Sequence, residues 1–199
     1  MEKLKLSAVE EQIYGLYYNG LSIKEFEQWV YSSSELESLL LPEDYLAIIS
    51  LNYSSRHIKN DLESIINRYV DYGKFETNKL VCLLNRALIK DENTGPVLRQ
   101  FYELYCDGYY FLFDLGLGYG LACEVPIKYA DTWEELSDEQ RRRIIDGFYP
   151  HIISDVQRAL EWLETGKIVL TGTKNEINHW QFIDNRDPDE KISSIIESK

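Results

Sequence analysis

Cysteine is scarce in this 199-residue chain: Cys82, Cys106 and Cys123 make an odd count, and no two stand at C-x-x-C spacing. That pattern fits neither a disulfide framework nor a cysteine zinc site, and a reducing cytoplasm is the expected compartment. Histidine is equally sparse. His57, His151 and His179 are isolated, and none has the second histidine of an H-E-x-x-H zinc motif. No Gly-x-Ser-x-Gly elbow, Walker-type glycine-lysine loop or G-x-G-x-x-G fingerprint is present, so no cofactor, metal or catalytic residue is expected. The first residues, Met-Glu-Lys-Leu-Lys-Leu, lack the apolar core of a secretory signal. The longest apolar run, residues 109–123, includes Asp114 and three glycines and is too short to span a bilayer. Basic charge is also in deficit. Thirty-four acidic against twenty-one basic side chains leave a net charge of −13, a field that repels phosphates and anionic headgroups. Direct nucleic-acid or membrane binding is therefore disfavoured. No repeat, low-complexity tract or long linker divides the chain, which reads as one domain over residues 1–199.

What is present is mostly helical grammar. Serine or threonine followed three residues later by Glu or Gln recurs at Ser7/Glu10, Ser22/Glu25, Ser34/Glu37, Thr132/Glu135 and Ser137/Gln140. Each pair is a potential capping box, in which two side chains satisfy amide donors at a helix start. Apolar residues recur at three- and four-residue spacing in Ile23, Phe26 and Val30, in Ile58, Leu62, Ile65 and Ile66, and in Leu98, Phe101, Leu104 and Tyr105. The stripe from Ile144 to Leu163 is interrupted by Pro150, which either separates two helices or kinks one. Gly73, Gly95-Pro96 and Gly166 punctuate other segments.

The pattern changes at Gly166. Residues 167–173 carry the β-branched pair Ile168-Val169 and then a Thr-Gly-Thr turn, and residues 177–185 read as a returning strand. The expected fold is mainly α: a compact multi-helix domain, helical over 1–165, with a β-hairpin at 166–186 packed on it. Residues 187–199 are expected to be a flexible or weakly helical tail.

Two features point to a partner. Fifteen tyrosines and four tryptophans outnumber seven phenylalanines, and aromatic rings with a polar handle suit interfaces. Residues 101–139 carry nine carboxylates against the single Lys128. Acid interleaved with aromatic suits a basic protein, because the field steers encounter and rings anchor the complex. The candidate partner-binding residues are Glu103, Asp107, Glu134, Glu135, Asp138 and Glu139, with Tyr102, Tyr109 and Trp133 as anchors. A rival reading places a small-molecule pocket or enzyme site around residues 109–120, where Gly116-Leu117-Gly118-Tyr119-Gly120 either cradles a ligand or permits a turn or close backbone packing.

The stretch Lys24-Glu25-Phe26-Glu27-Gln28-Trp29-Val30-Tyr31, with Leu36-Glu37 and Asp44-Tyr45-Leu46-Ala47-Ile48-Ile49-Ser50 after it, resembles sequences of small acidic bacterial immunity proteins from polymorphic and contact-dependent toxin systems. The resemblance covers about the first third of the chain and brings no contact residues with it. It implies a non-enzymatic inhibitor of a cognate toxin domain that is basic, as a phosphate-gripping nuclease is, acting without a cofactor. In the residues themselves, Phe26, Trp29 and Val30 read as a core stripe with Tyr31 at its rim.

Overall fold

Each helix buries one apolar stripe, and the computed structural model, which describes residues 6–18 and 20–191, groups these stripes around two cores. The described residues up to Phe75 form one unit and those from Glu76 onward form the other.

The first unit contains α1 (Ala8–Tyr18), α2 (Ile23–Ser32), α3 (Ser34–Leu39), α4 (Pro42–Ile49), α5 (Ile58–Ile66) and the start of α6 (Tyr72–Ala87). Ile13, Phe26, Val30, Leu36, Ile48, Leu62 and Phe75 are its buried centre. The F-x-x-W-V-Y stretch divides as its spacing implies: Phe26 and Val30 are buried, Trp29 is half-buried, and Tyr31 is 58% exposed. Two carboxylates go under with the apolar residues and are held by specific donors. Glu10 accepts from the Ser7 amide at 2.9 Å and from Lys74 Nζ at 3.3 Å. Asp44 accepts from the Tyr69 hydroxyl and pairs with Arg68 at 3.2 Å.

Three of the five capping boxes form, at Ser7/Glu10, Ser22/Glu25 and Ser137/Gln140. The pair at Ser34/Glu37 does not, because the Ser33 hydroxyl takes the Leu36 amide one residue earlier. Glu135, beside Thr132, accepts instead from the Asp131 amide.

The second unit continues α6 and adds α7 (Thr94–Cys106), a 3₁₀ turn (Tyr110–Leu112), a π-helical stretch (Asp114–Gly120), α8 (Leu121–Glu124), a second 3₁₀ turn (Trp133–Glu135), α9 (Asp138–Phe148), α10 (His151–Glu164) and the strands β1 (Ile168–Lys174) and β2 (Trp180–Asp184). Pro150 separates α9 from α10 rather than kinking one helix. Gly73 lies within the first turn of α6, and Gly95-Pro96 within the first turn of α7, where a proline removes no helical hydrogen bond.

α7 is the axis of this unit, with Leu98 and Phe101 wholly buried. The glycine-rich stretch lies directly on it. A Cβ on Gly116 would stand 2.7 Å from Tyr105 Cβ, and one on Gly120 would stand 2.5 Å from the Leu98 carbonyl oxygen. Their role is close backbone packing along a helix face, four residues apart. Gly118 points away, with nothing within 4 Å of a Cβ placed there.

The hairpin pairs Ile168 with Asp184, Val169 with Ile183 and Leu170 with Phe182, antiparallel. Ile168 and Leu170 face the core while Val169 is 40% exposed, the alternation that a strand with one buried face requires. Thr171-Gly172-Thr173 is not the turn that the sequence suggests. It lies inside β1, where the register shifts between Leu170 and Lys174, and the chain reverses farther on. There Asn175 Oδ1 accepts from the Ile177 and His179 amides, and Asn178 takes a positive φ of 64°. An asparagine accepts both demands, as a local acceptor and as a residue tolerant of left-handed backbone. Residues 188–191 make a helical turn in which Glu190 pairs with Lys167 at 2.7 Å, and the tail over 192–199 lies outside the described residues.

The two glycine environments predict opposite effects from one substitution. Gly120→Ala forces a methyl against backbone and is expected to cost about 1–3 kcal/mol. Gly118→Ala is expected to be neutral or stabilising by up to about 1 kcal/mol, since it replaces glycine with a better helix former in open space. Urea denaturation of both variants measures the contrast.

Burial opposes the charge on Glu10, but the Ser7 and Lys74 hydrogen bonds outweigh it and hold the carboxyl below its usual range. A depressed carboxylate contributes stability above its unfolded pKa, and the contribution is lost as pH falls through the folded value. The stability gap between wild type and Glu10→Gln, followed by thermal melts, is therefore expected to narrow steadily below about pH 4.3.

Candidate functional site

Arg99, on α7, anchors the surface where most of the predicted acids lie. Its Nε donates to Glu124 at 2.6 Å and its Nη1 to Glu134 at 2.6 Å. The Glu124 bond, reinforced by Glu134, raises the guanidinium pKa further, so the clamp stays charged at any physiological pH. Glu134, bonded through backbone and through Arg99, is held below its usual range.

Two carboxylates on one guanidinium close the base of a loop, residues 125–133. Within it the Ile127 amide donates to the Val125 carbonyl at 2.8 Å, and the Tyr129 and Ala130 amides both donate to the Pro126 carbonyl. Pro126 is buried beneath, and Tyr129 and Ala130 pack against the core of the second unit. The loop turns an aliphatic side chain outward: Ile127 is 85% exposed and Val125 41%.

The far end of the loop is pinned by Trp133. Its ring covers Gly95, where a Cβ would meet Trp133 Cζ2 at 2.1 Å, so only glycine admits the indole. Arg141 then donates from Nε to the Trp133 carbonyl at 3.2 Å and from Nη2 to the Glu134 carbonyl at 2.9 Å. Ser137 caps α9, and Asp138 and Glu139 occupy its first turn, where negative charge complements the helix dipole.

Of the predicted acids, Glu134, Glu135, Asp138 and Glu139 come together on this surface, all exposed. Glu103 and Asp107 do not join them. They are exposed at the C-terminal end of α7, roughly 12 Å (Glu103) and 18 Å (Asp107) along the helix from Gly95, which Trp133 covers, at 1.5 Å per residue. The aromatic anchors fare differently from expectation. Tyr109 and Trp133 are 1% and 5% exposed, so their rings are committed to the core and offer no surface to a partner. Tyr102 is half-buried on α7, where its backbone and Cβ back Gly120. Ile127 and Arg99 went unsingled in the sequence. The signal for the first was an isolated aliphatic residue in a proline-containing polar segment, whereas Arg99 meets its partners 25 and 35 positions away and leaves no local mark.

Beside this surface lies a cavity of about 540 Å³, walled by Trp133, Lys90, Arg141 and Arg142 among others. Lys90 pairs with Asp146 at 2.6 Å and Arg141 with Asp138 at 3.5 Å, and with Asp91 and Glu92 also in the lining the cavity presents no net positive charge to an anion. The stretch around 109–120 borders a second cavity, about 450 Å³, lined in part by Leu117, Gly118 and Tyr119. There Arg158 is bracketed by Asp114 at 2.9 Å and Asp155 at 2.6 Å, and Tyr119 donates to Asp155. Its cation is neutralised in the same manner. Among the described residues no group of three His, Cys, Asp or Glu is arranged to hold a metal ion, and no helix is long and apolar enough to cross a membrane. His57 and His151 are exposed, and His179 Nδ1 bonds the Tyr110 hydroxyl at 2.8 Å. No family model, curated protein or solved structure matches the chain.

The clamp predicts a local effect. Arg99→Gln leaves Glu124 and Glu134 facing each other without a cation, and the loop they close is expected to open. Native-state hydrogen exchange of the Tyr129 and Ala130 amides should accelerate about tenfold or more, with the amides of α10 unchanged.

Proposed function

We propose that this chain is a non-enzymatic inhibitor that binds a protein partner, an immunity protein that neutralises a cognate toxin domain by occluding a basic face. The observation that carries the reading is the surface of residues 124–139. An internally bonded loop holds Ile127 out at 85% exposure, and the exposed carboxylates of Glu134, Glu135, Asp138 and Glu139 follow directly after the loop in the chain.

Such a surface divides the work of association. The carboxylates act at a distance, since electrostatic steering lifts association from about 10⁵–10⁶ to as much as about 10⁸–10⁹ M⁻¹s⁻¹ at low salt. The aliphatic tip acts on contact, where burying one side chain contributes about 1.5–3 kcal/mol. A nuclease must grip phosphates and so carries the complementary charge. The resemblance of the Phe26–Tyr31 region to immunity proteins supports the same reading.

The test is co-expression in a heterologous host with the toxin domain encoded beside its gene, followed by binding kinetics on the purified pair. Growth should be protected. Neutralising Glu135, Asp138 and Glu139 together (E135Q/D138N/E139Q) spares the Arg99 clamp and is expected to slow association about tenfold and flatten its salt dependence. Ile127→Ser should speed dissociation instead. Unchanged association and salt dependence in the neutralised variant would remove this surface from the interface, and failure to bind or protect would remove the inhibitor reading.

A further inference from the structure

At the other end of α7 the structure holds a feature that the surface above does not use. A groove of about 220 Å³ runs between α6, the end of α7 and β2. Leu83, Leu104 and Trp180 give it an apolar wall. Glu76 lies deep in it at 5% exposure, but its carboxylate is matched by Lys79 at 2.9 Å, so that charge is offset. Glu103 and Asp107 line the mouth. They are successive on one helical face, both exposed, and among the described residues neither carboxylate has a hydrogen-bond or ion-pair partner.

We infer that this groove is a docking site for one arginine or lysine side chain of a protein partner. The inference rests on the protein-binding reading above, and it specifies a second contact chemically. The occupant follows from size and charge. A volume below the range of about 300–1,000 Å³ usual for small-molecule sites takes one side chain rather than a metabolite. An apolar wall ending in two unpaired carboxylates matches a side chain with a methylene stem and a cationic head. The stem covers Leu83, Leu104 and Trp180, and the head reaches Glu103 and Asp107. An acidic side chain is repelled there, and an aliphatic one desolvates the mouth carboxylates without satisfying them. Lys174 Nζ already lies 4.6 Å from the Trp180 ring centroid, so the incoming head is assigned to the carboxylates and not to the indole face. Guanidinium suits the site better than ammonium, because its planar fork engages two carboxylates at once.

The test uses the full chain, ¹⁵N-labelled, titrated with Nα-acetyl-arginine methylamide and with the citrulline derivative of the same shape and no charge. Saturable shifts are expected at the amides of Leu83 and Leu104 and at the Trp180 indole, about tenfold weaker for citrulline. The E103Q/D107N variant, altered only at exposed positions, should lose about tenfold, while E135Q/D138N/E139Q should bind the probe as wild type does. Equal binding of citrulline would make the groove an apolar slot, and shifts spread evenly over the acidic surface would make the effect general charge attraction. Either result overturns the assignment, as does an unaltered response in E103Q/D107N. Because the probe needs no toxin, loss of the groove and loss of the inhibitor reading are separate outcomes.

Discussion

The arrangement of the second unit depends on one contact: backbone against backbone, where Gly116 and Gly120 lie on α7 without side chains between them. The Leu98 carbonyl, the Phe101 carbonyl and Tyr105 Cβ all fall within 3.1 Å of where a methyl would be. That approach lets a fifteen-residue apolar run become a second rod alongside α7 instead of a surface. It sets where the run ends, at Glu124, which is how Arg99 comes to reach it. A π-helical step, with the Leu121 amide donating to the Gly116 carbonyl, keeps both glycines on the contact face over four residues.

A similar constraint acts at the end of α7, where Gly108 has a φ of +116° and a Cβ would meet the Trp180 carbonyl oxygen at 2.8 Å. No L-side chain tolerates both conditions. The Trp180 amide donates to the Asp107 carbonyl at 2.7 Å, and the Tyr109 ring lies against the Trp180 ring, so the hairpin is fastened at the point where the helix stops. A two-stranded hairpin is marginal alone in water. This one draws its order from helices, and in return β2 supplies a wall of the groove.

Much of this was legible in the residues, and the illegible parts share a cause. Helix starts showed through because a capping box is local: three of five proposed boxes form, and Ser34/Glu37 fails only because an equally good serine stands one position earlier. The apolar stripes and the hairpin were legible for the same reason, a fixed period. The turn was misplaced because Thr-Gly-Thr and Asn-Glu-Ile-Asn both carry turn chemistry, and only the facing strand decides between a bulge and a reversal. Tyr109 and Trp133 looked like anchors because aromatic type does not reveal burial. What buries Trp133 is a missing side chain 38 positions earlier, at Gly95. Arg99 was invisible for the converse reason, since its meaning lies wholly in two distant carboxylates.

Burial of those rings changes what kind of binding surface the acids can serve. With indole and phenol withdrawn, the exposed apolar contact near Glu134 reduces to Val125 and Ile127, which favours a complex whose rate is set by charge and whose grip is modest on that side. The remaining acids, Glu103 and Asp107, stand roughly 6 and 12 Å along the same rigid helix from Arg99, at 1.5 Å per residue. A partner that engages both must present basic groups at those spacings, which straddle the Debye length of about 8 Å at physiological salt, so the two acidic sets are only partly screened from one another. Discrimination among basic proteins then comes from geometry. Total charge attracts many of them, but the fixed length of α7 between the clamp at Arg99 and the groove at Glu103 and Asp107 admits few.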